Sequence, residues 1–458
     1  MANTYLTKTF ASDSNRKTWT WSAWIKRSKL GGVQTLMTQV DGWNGNGNAG
    51  FYIVDDQLTS YNFTSSLNSG TDSYNRPSRY LRDVNGFYHI VVRLDTTQST
   101  ASDRCRWYVN GEQLTDFAFA NYPSLNQDCN FNGGDPHGIG SHTAGANYFD
   151  GSMTHVHFTD GYSYDPSAFG ETDATTGEWE AKTSPSVNYG THGFLILKDG
   201  NTITDQSSNS NDFTLAGGTL TDLKDNPDNV FATLNPLNGV QPTGGLNLTN
   251  GNTVFVNGEN GSNYSYVAGT LGASSGKFYW ETKVDDLAEI DQVGVALASA
   301  SFSQLANSTG LQGTAYGGKG FQFSNGNKVG DGSQSAYMGG FSVNDIAMIA
   351  LDLDNNKITF GRNGQWSNGS GGADQTYANS TPAYTNLTAG EFYVPAQAKR
   401  ASGANYGTNS YNFGNGYFGT TAITTNSGNG YAGAEGSSKF NYTVPTGYSA
   451  LSTKGLNL

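Results

Sequence analysis

His155 and His157 lie two positions apart in the run YFDGSMTHVHFTDG, Tyr148 to Gly161. On an extended strand that spacing puts both imidazoles on one face. They could then hold a metal ion with Asp150 or Asp160 as a third ligand, although a polar, solvent-facing strand has the same pattern without a metal. Retaining glycoside cleavage needs two carboxyl groups about 5–5.5 Å apart, which an E-x-D-x-x-E strand can supply. The nearest approach, Glu171-Thr172-Asp173-Ala174-Thr175-Thr176, ends on threonine and reads as a loop, so this hydrolysis is not expected. Asp352, Asp354 and Asn356 imitate the opening of a calcium loop, but Lys357 stands where its tight-turn glycine belongs, and a hairpin turn explains them better. Gly45 to Gly50, GNGNAG, spells a dinucleotide fingerprint, yet a strand follows at Phe51 where the fingerprint must open a helix. GASSGKF, Gly272 to Phe278, is short of a phosphate loop and lacks its hydroxyl. Spacing assembles no Ser/His/Asp or Cys/His constellation. The expectation is a non-enzyme without cofactor or metal, whose ligand contacts sit on loops, with Trp43, Asn44 and Trp366 as the candidates.

The elements that must position such loops read as strands. KTWTWSAWIK, Lys17 to Lys26, places Trp19 and Trp21 on one face and Trp24 on the other; the first two serve either as core or as a carbohydrate platform. Phe51 to Val54 and Leu58 to Thr64 form a hairpin through Asp55-Asp56-Gln57. GFYHIVVRLDTT, Gly86 to Thr97, is a long strand, followed by RCRWYVNGEQL with its turn at Asn110-Gly111. In the second half GKFYWETKV, Gly276 to Val284, alternates Phe278, Trp280 and Thr282 against Tyr279, Glu281 and Lys283. ALDLDNNKITFGRNGQW, Ala350 to Trp366, then reads as strand, turn at Asp354-Asn355-Asn356, return strand and second turn at Asn363-Gly364.

Composition agrees with an all-β chain. The 458 residues include 60 Gly, 26 Tyr, 24 Phe and 8 Trp, with only 14% charged. Glycine and asparagine supply turns, while aromatics and threonine fill pleated surfaces. A net charge of −13 and a pI near 4.8 argue against nucleic acid, whose binding depends on neutralising phosphates. Cys105 and Cys129 do not make a disulfide framework; they either pair across a sheet edge or remain as two buried free thiols. MANTYLTKTF is not a secretory signal, and no stretch approaches the roughly 18 apolar residues of a membrane helix. An exterior-type composition without an export signal is what a virion protein released by lysis would show, and non-classical secretion would account for it less economically.

Three motifs in order, Phe87-Tyr88-His89-Ile90, Trp107-Tyr108-Val109-Asn110-Gly111 and Phe149-Asp150-Gly151-Ser152-Met153, resemble a laminin-G or concanavalin-like jelly roll over residues 1–198. The resemblance implies a two-sheet sandwich whose loops bind glycans or proteins, sometimes with calcium; no calcium ligand set matches here. Gly276, Phe278, Tyr279, Trp280 and Glu281, then Gly294-Val295-Ala296, then Asp352, Ile358, Phe360, Asn363 and Gly364 resemble the SPRY fold over about residues 250–451. That implies a second sandwich of a mainly protein-binding family, with loops enlarged at Ala300–Tyr316 and Gly419–Ser438. NRKTWTWSAWIKRS and DNPDNVFATLNPL resemble segments of bacteriophage virion structural proteins.

The expected architecture is therefore all-β, two antiparallel β-sandwich domains in tandem: 1–198 laminin-G/concanavalin-like, 199–245 an extended connection, and 246–458 SPRY-like. Phe213, Leu215, Phe231 and Leu234 should pin that connection to its neighbours. The expected role is a phage virion surface protein, a fibre or a head or tail decoration, at the virion surface and made in the host cytoplasm. Its partners would be other virion proteins and a host-surface glycan or protein, with homo-oligomerisation on the particle and no membrane insertion. A bacterial lectin or adhesin and a polysaccharide-degrading enzyme are the alternatives.

Overall fold

The structure is a computed structural model. It describes residues 3–39, 49–61, 74–142, 145–198, 200, 202–241, 245–256, 263–300, 310–313, 316–400, 406–423 and 431–458. The chain divides into two compact units, Met1–Asp222 and Leu223–Leu458. Regular structure among its described residues is almost entirely strand, in sheets that are antiparallel apart from one short pairing near the C-terminal end.

In the first unit one sheet runs in the spatial order Phe117–Ala120, Asn75–Pro77, Gln57–Tyr61, Ala49–Val54, Val33–Gln39, Pro136–Ile139, Tyr5–Thr9, Thr214–Gly217. The other runs Phe194–Ile196, Gly151–Asp160, Thr18–Arg27, Tyr88–Asp95, Cys105–Val109, Glu112–Leu114. Period two sends Trp19, Trp21, Ala23 and Ile25 of one strand into the shared core, where they meet Ile90, Val92, Trp107 and Phe158. Phe51 of the facing sheet packs on Trp19, Trp21 and Trp107 at centroid distances of 5.5, 5.3 and 6.1 Å. Trp19 and Trp21 are thus core, not a carbohydrate platform, and Trp24 lies on the opposite face as the alternation requires. Asp55 and Asp56 both take positive φ, 47° and 69°, giving the tight mirror-image turn that suits a right-twisted hairpin. Cys105 and Cys129 are free, buried thiols; burial pushes Cys105 up to about 12 and Cys129 higher still.

The segment 199–245 is divided between the units. Phe213 is buried in the first core, and Thr214–Gly217 pairs with Tyr5–Thr9. Phe231 and Leu234 are buried in the second unit, whereas Leu215 is exposed.

The second unit has one sheet in the order Leu234–Val240, Ser265–Gly269, Tyr393–Arg400, Ile290–Leu297, Lys319–Gln322, Asn327–Gly330, Ser333–Ala336. Facing it are Leu248–Thr249, Val254–Val256, Thr408–Asn412, Lys277–Asp286, Ile346–Asp352, Lys357–Arg362, Gln365–Ser367 and Ala373–Gln375. Phe278 and Trp280 point into the core between the sheets with Ile349, Leu351 and Phe360. Tyr279 faces outward into a second cluster with Met348, Trp366, Phe440 and Tyr448, formed where the C-terminal segment folds over the sheet. Ser449–Ala450 then pairs in parallel with Phe278 and Tyr279. Asn363 and Gly364, at φ 50° and 88°, make the second hairpin turn.

Gly294 sits mid-sheet where neighbouring backbone leaves no room for a side chain. A Cβ there would lie 2.1 Å from the Lys319 carbonyl oxygen and 2.5 Å from Gly320 Cα. Gly294→Ala should therefore destabilise the second unit by about 3 kcal/mol, as overpacking against backbone does. A denaturation midpoint equal to that of the parent protein would refute this close-approach account.

Candidate functional site

The register of the eight-stranded sheet brings several strand ends to one edge of the first unit. Thr9 is opposite Pro136, His137 opposite Gln39, Gln39 opposite Ala49, Gly50 opposite Tyr61, and Ser60 opposite Asn75. Of the expected ligand residues, Trp43 and Asn44 lie outside the described residues. Trp366 belongs to the second unit and is 3% exposed. Its ring packs edge-on to Tyr377 at 4.8 Å and lies 6.3 Å from Tyr279. It lies on the strand Gln365–Ser367, and the structure gives it a packing position with no open ring face.

Asp160 organises the described part of this rim. Its carboxylate accepts from Asn15 N (3.1 Å), Asn132 Nδ2 (2.6 Å), Thr191 N (3.1 Å), His192 N (3.0 Å) and the Ser14 hydroxyl. Three separate segments are thereby tied to the last residue of one strand. Asn132 also donates to Asn15 O at 2.8 Å, so its Oδ1 is left to accept from His192 Nδ1 at 3.0 Å. The His192 ring lies flat on Phe10, with centroids 4.0 Å apart, and burial lowers its pKa. Toward solvent, Gly134 N donates to Asp13 at 2.9 Å, and this bond leads in holding the Asp13 carboxyl below its ordinary value. Gly133 N donates to Gln39 Oε1 at 2.9 Å, and Gln39 Nε2 donates to Asp135 at 3.2 Å. The result is a rim of polar loops fixed by internal bonds.

The paired histidines behave differently from the sequence expectation. His155 takes φ 50°, and the ladder slips between Thr154 and His157. A bulge breaks strict alternation, so the shared face is lost. His157 is buried, accepts or donates at Nδ1 to Tyr189 Oη at 2.9 Å, and burial drives its pKa well down. Among the described residues no group of three metal donors forms.

His89, read only as a fold marker, is the centre of an aromatic stack on the outer face. Trp24 lies 4.7 Å and Trp179 5.9 Å from its ring centroid, both near parallel. Trp179 Nε1 donates to His89 Nδ1 at 2.9 Å, so the ring proton sits on Nε2 and is given to Ser22 Oγ at 2.8 Å. Burial, with the nearby His155 second, lowers His89 to about 3. Trp179→Ala should let water reach the ring and raise that pKa toward its ordinary value of about 6.5. Proton NMR titration reads this directly; an unchanged His89 titration would mean that Trp179 is not its cover.

The second unit contains neither histidine nor cysteine. Its principal buried acid is Glu281, which accepts from Asn441 N and Tyr442 N at 2.8 Å each, from Tyr279 Oη at 2.9 Å and weakly from Asn412 Nδ2 at 3.4 Å. This holds the C-terminal segment over the outer face. Burial raises its pKa to about 7, against the pull of the two backbone amides. Alternation showed that Glu281 faces away from Trp280, but not that residues 160 positions later would cover it.

Both units are antiparallel β-sandwiches. Residues 2–162 match the family described as the concanavalin A-like lectin/glucanases superfamily. No curated protein matches the sequence. Similar solved structures include the SPRY domain of human HERC1, at 17% identity over 39% of this chain and 96% of that one, with a TM-score of 0.30. A human SPRY domain is 12% identical over 38% and 94%, with a TM-score of 0.25. The TRIM65 PSpry domain is 16% identical over 40% and 91%, with a TM-score of 0.28.

Proposed function

We propose that this protein is a non-catalytic binding protein of a bacteriophage particle, a fibre or a head or tail decoration. It docks to other virion proteins, probes host-surface glycan or protein with its loops, and repeats as a homo-oligomer at the virion surface. The observation that carries the binding reading is the Asp160-centred rim, where loop segments are held rigid by their own hydrogen bonds. A preorganised rim lowers the entropic cost of recognition, and rigid sandwiches suit variable loops. The enclosed, uncharged imidazoles of His89 and His157 favour binding over acid–base chemistry. The virion assignment is supported by the exterior-type composition and the phage-like segments NRKTWTWSAWIKRS and DNPDNVFATLNPL.

Mass spectrometry of purified particles tests the location, with the protein expected at stoichiometric levels. Finding it in infected cells but never in particles would overturn that part. The match to a lectin superfamily over residues 2–162 favours a lectin or adhesin as the second reading. A specific glycan-array hit from a protein absent from particles would select it, while reducing ends or unsaturated products released from a polysaccharide panel would establish an enzyme instead.

A further inference from the structure

Inside the second unit three reactive side chains lie together with no solvent exposure at all: Lys399, Asp291 and Asn409. Asp291 and Lys399 are directly opposite on adjacent strands of the seven-stranded sheet, with Lys399 Nζ 3.9 Å from Asp291 Oδ2. Asn409 comes from the facing sheet, where it is paired with Phe255 and Val284. Lys399 Nζ is aimed at that sheet, donating to Phe255 O at 3.0 Å and Gly407 O at 3.3 Å. Gln397 links the other two groups, its Nε2 donating to Asp291 Oδ1 at 2.7 Å and to Asn409 Oδ1 at 2.6 Å. Tyr411 Oη, donating to Gln397 Oε1 at 2.8 Å, fixes that amide's orientation. Asp291 Oδ2 and Asn409 Nδ2 make no hydrogen bond of proper geometry, although the Asn409 amide lies close enough to Asp291 to pull its pKa down. Leaving such atoms unsatisfied is costly, so native structures seldom do it without a reason.

We propose that Lys399 and Asn409 join in an intramolecular amide that covalently ties the two sheets of the second unit, with Asp291 as the proton-transfer group. The neutral Lys399 amine attacks Asn409 Cγ and the Nζ–Cγ bond forms. Charge developing on Oδ1 is met by the Gln397 N–H already pointing at it. Asp291, in its protonated form, gives a proton to the departing Nδ2 and recovers one from Nζ. The Cγ–Nδ2 bond breaks and ammonia leaves, so amine plus carboxamide become secondary amide plus ammonia, with Asp291 regenerated and no redox partner required. Burial favours both required forms, lowering Lys399 to about 8 and raising Asp291. The product also removes both orphans: Nδ2 is lost, and the new amide N–H lies beside Asp291 Oδ2. This chemistry does not depend on the binding role proposed above.

Intact-mass spectrometry of the full-length protein, purified and incubated at neutral pH, should show a chain lighter than its sequence by one ammonia. Tryptic digestion should give a branched peptide in which the segment ending at Arg400 is joined to the segment carrying Asn409. Lys399→Met and Asp291→Ala should both retain the full mass. The proposal is overturned if the parent protein keeps its full sequence mass after incubation, or if it loses water, which would make Asp291 the acceptor. An ammonia loss that persists in Lys399→Met, the mark of a cyclic imide elsewhere, overturns it equally.

Discussion

Replacing Glu281 with alanine is expected to destabilise the second unit by about 3–5 kcal/mol, the range for breaking a buried, bonded charge. The carboxylate is fully buried and is the acceptor for Asn441 N and Tyr442 N. Without it, two backbone donors of the covering segment face a cavity, and Tyr279 and Asn412 lose a partner. Glu281→Gln keeps the volume and resembles the protonated acid that the fold favours, so it should cost less than alanine. Calorimetry of the full chain reads the loss, and a Glu281→Ala protein with the parental transition would remove Glu281 as the latch. The same group sets a pH dependence. Its folded pKa of about 7 lies above its unfolded value, so the folded state binds the extra proton. Stability from this group is complete below the unfolded value, near pH 4.5, and is lost as pH rises through about 7, a difference of about 3 kcal/mol. Denaturation midpoints that climb across that window would contradict the assignment.

Asp160→Ala is expected to be as severe in the first unit, about 3–5 kcal/mol by the same reasoning. The side chain is 4% exposed and accepts from Ser14, Asn15, Asn132, Thr191 and His192. Asp160→Asn is the informative companion, since it keeps the volume but turns one acceptor into a donor facing donors. Amide hydrogen exchange should rise over residues 10–15, 131–135 and 189–193 before any global unfolding. If those amides keep parental protection, the rim is not held by Asp160. Binding to whatever ligand the rim takes should weaken with that loosening, through lost preorganisation.

Much of this architecture is legible in local sequence. The opposed faces of Trp19 and Trp24, or of Trp280 and Tyr279, follow from period two, and the turns at Asn110-Gly111 and Asn363-Gly364 follow from their residue types. What escapes is whatever depends on distant chain or a broken period. A single positive φ at His155 undoes the same-face pairing of His155 and His157. Trp366 reads as a loop aromatic because nothing near it announces that Phe440 and Tyr448 will share its cluster. Asp160 is legible as an acid at a strand end, but its donors lie as far as 146 positions away. The triad of Lys399, Asp291 and Asn409 is hidden for a related reason, since it is assembled from strands of two facing sheets.

The second unit is fastened at both of its sequence extremes. Val230 N reaches Thr453 Oγ1 and Thr453 N reaches Val230 O, at 3.0 and 2.9 Å, while Ala232 N bonds Leu451 O at 2.9 Å. A ribosome making this polypeptide must therefore translate past residue 454 and clear its exit tunnel before that seam can zip. The earlier half can mature while that synthesis continues, but the later one cannot close until residues 451–453 have emerged, leaving Tyr279 and Trp366 exposed to chaperones in the interval.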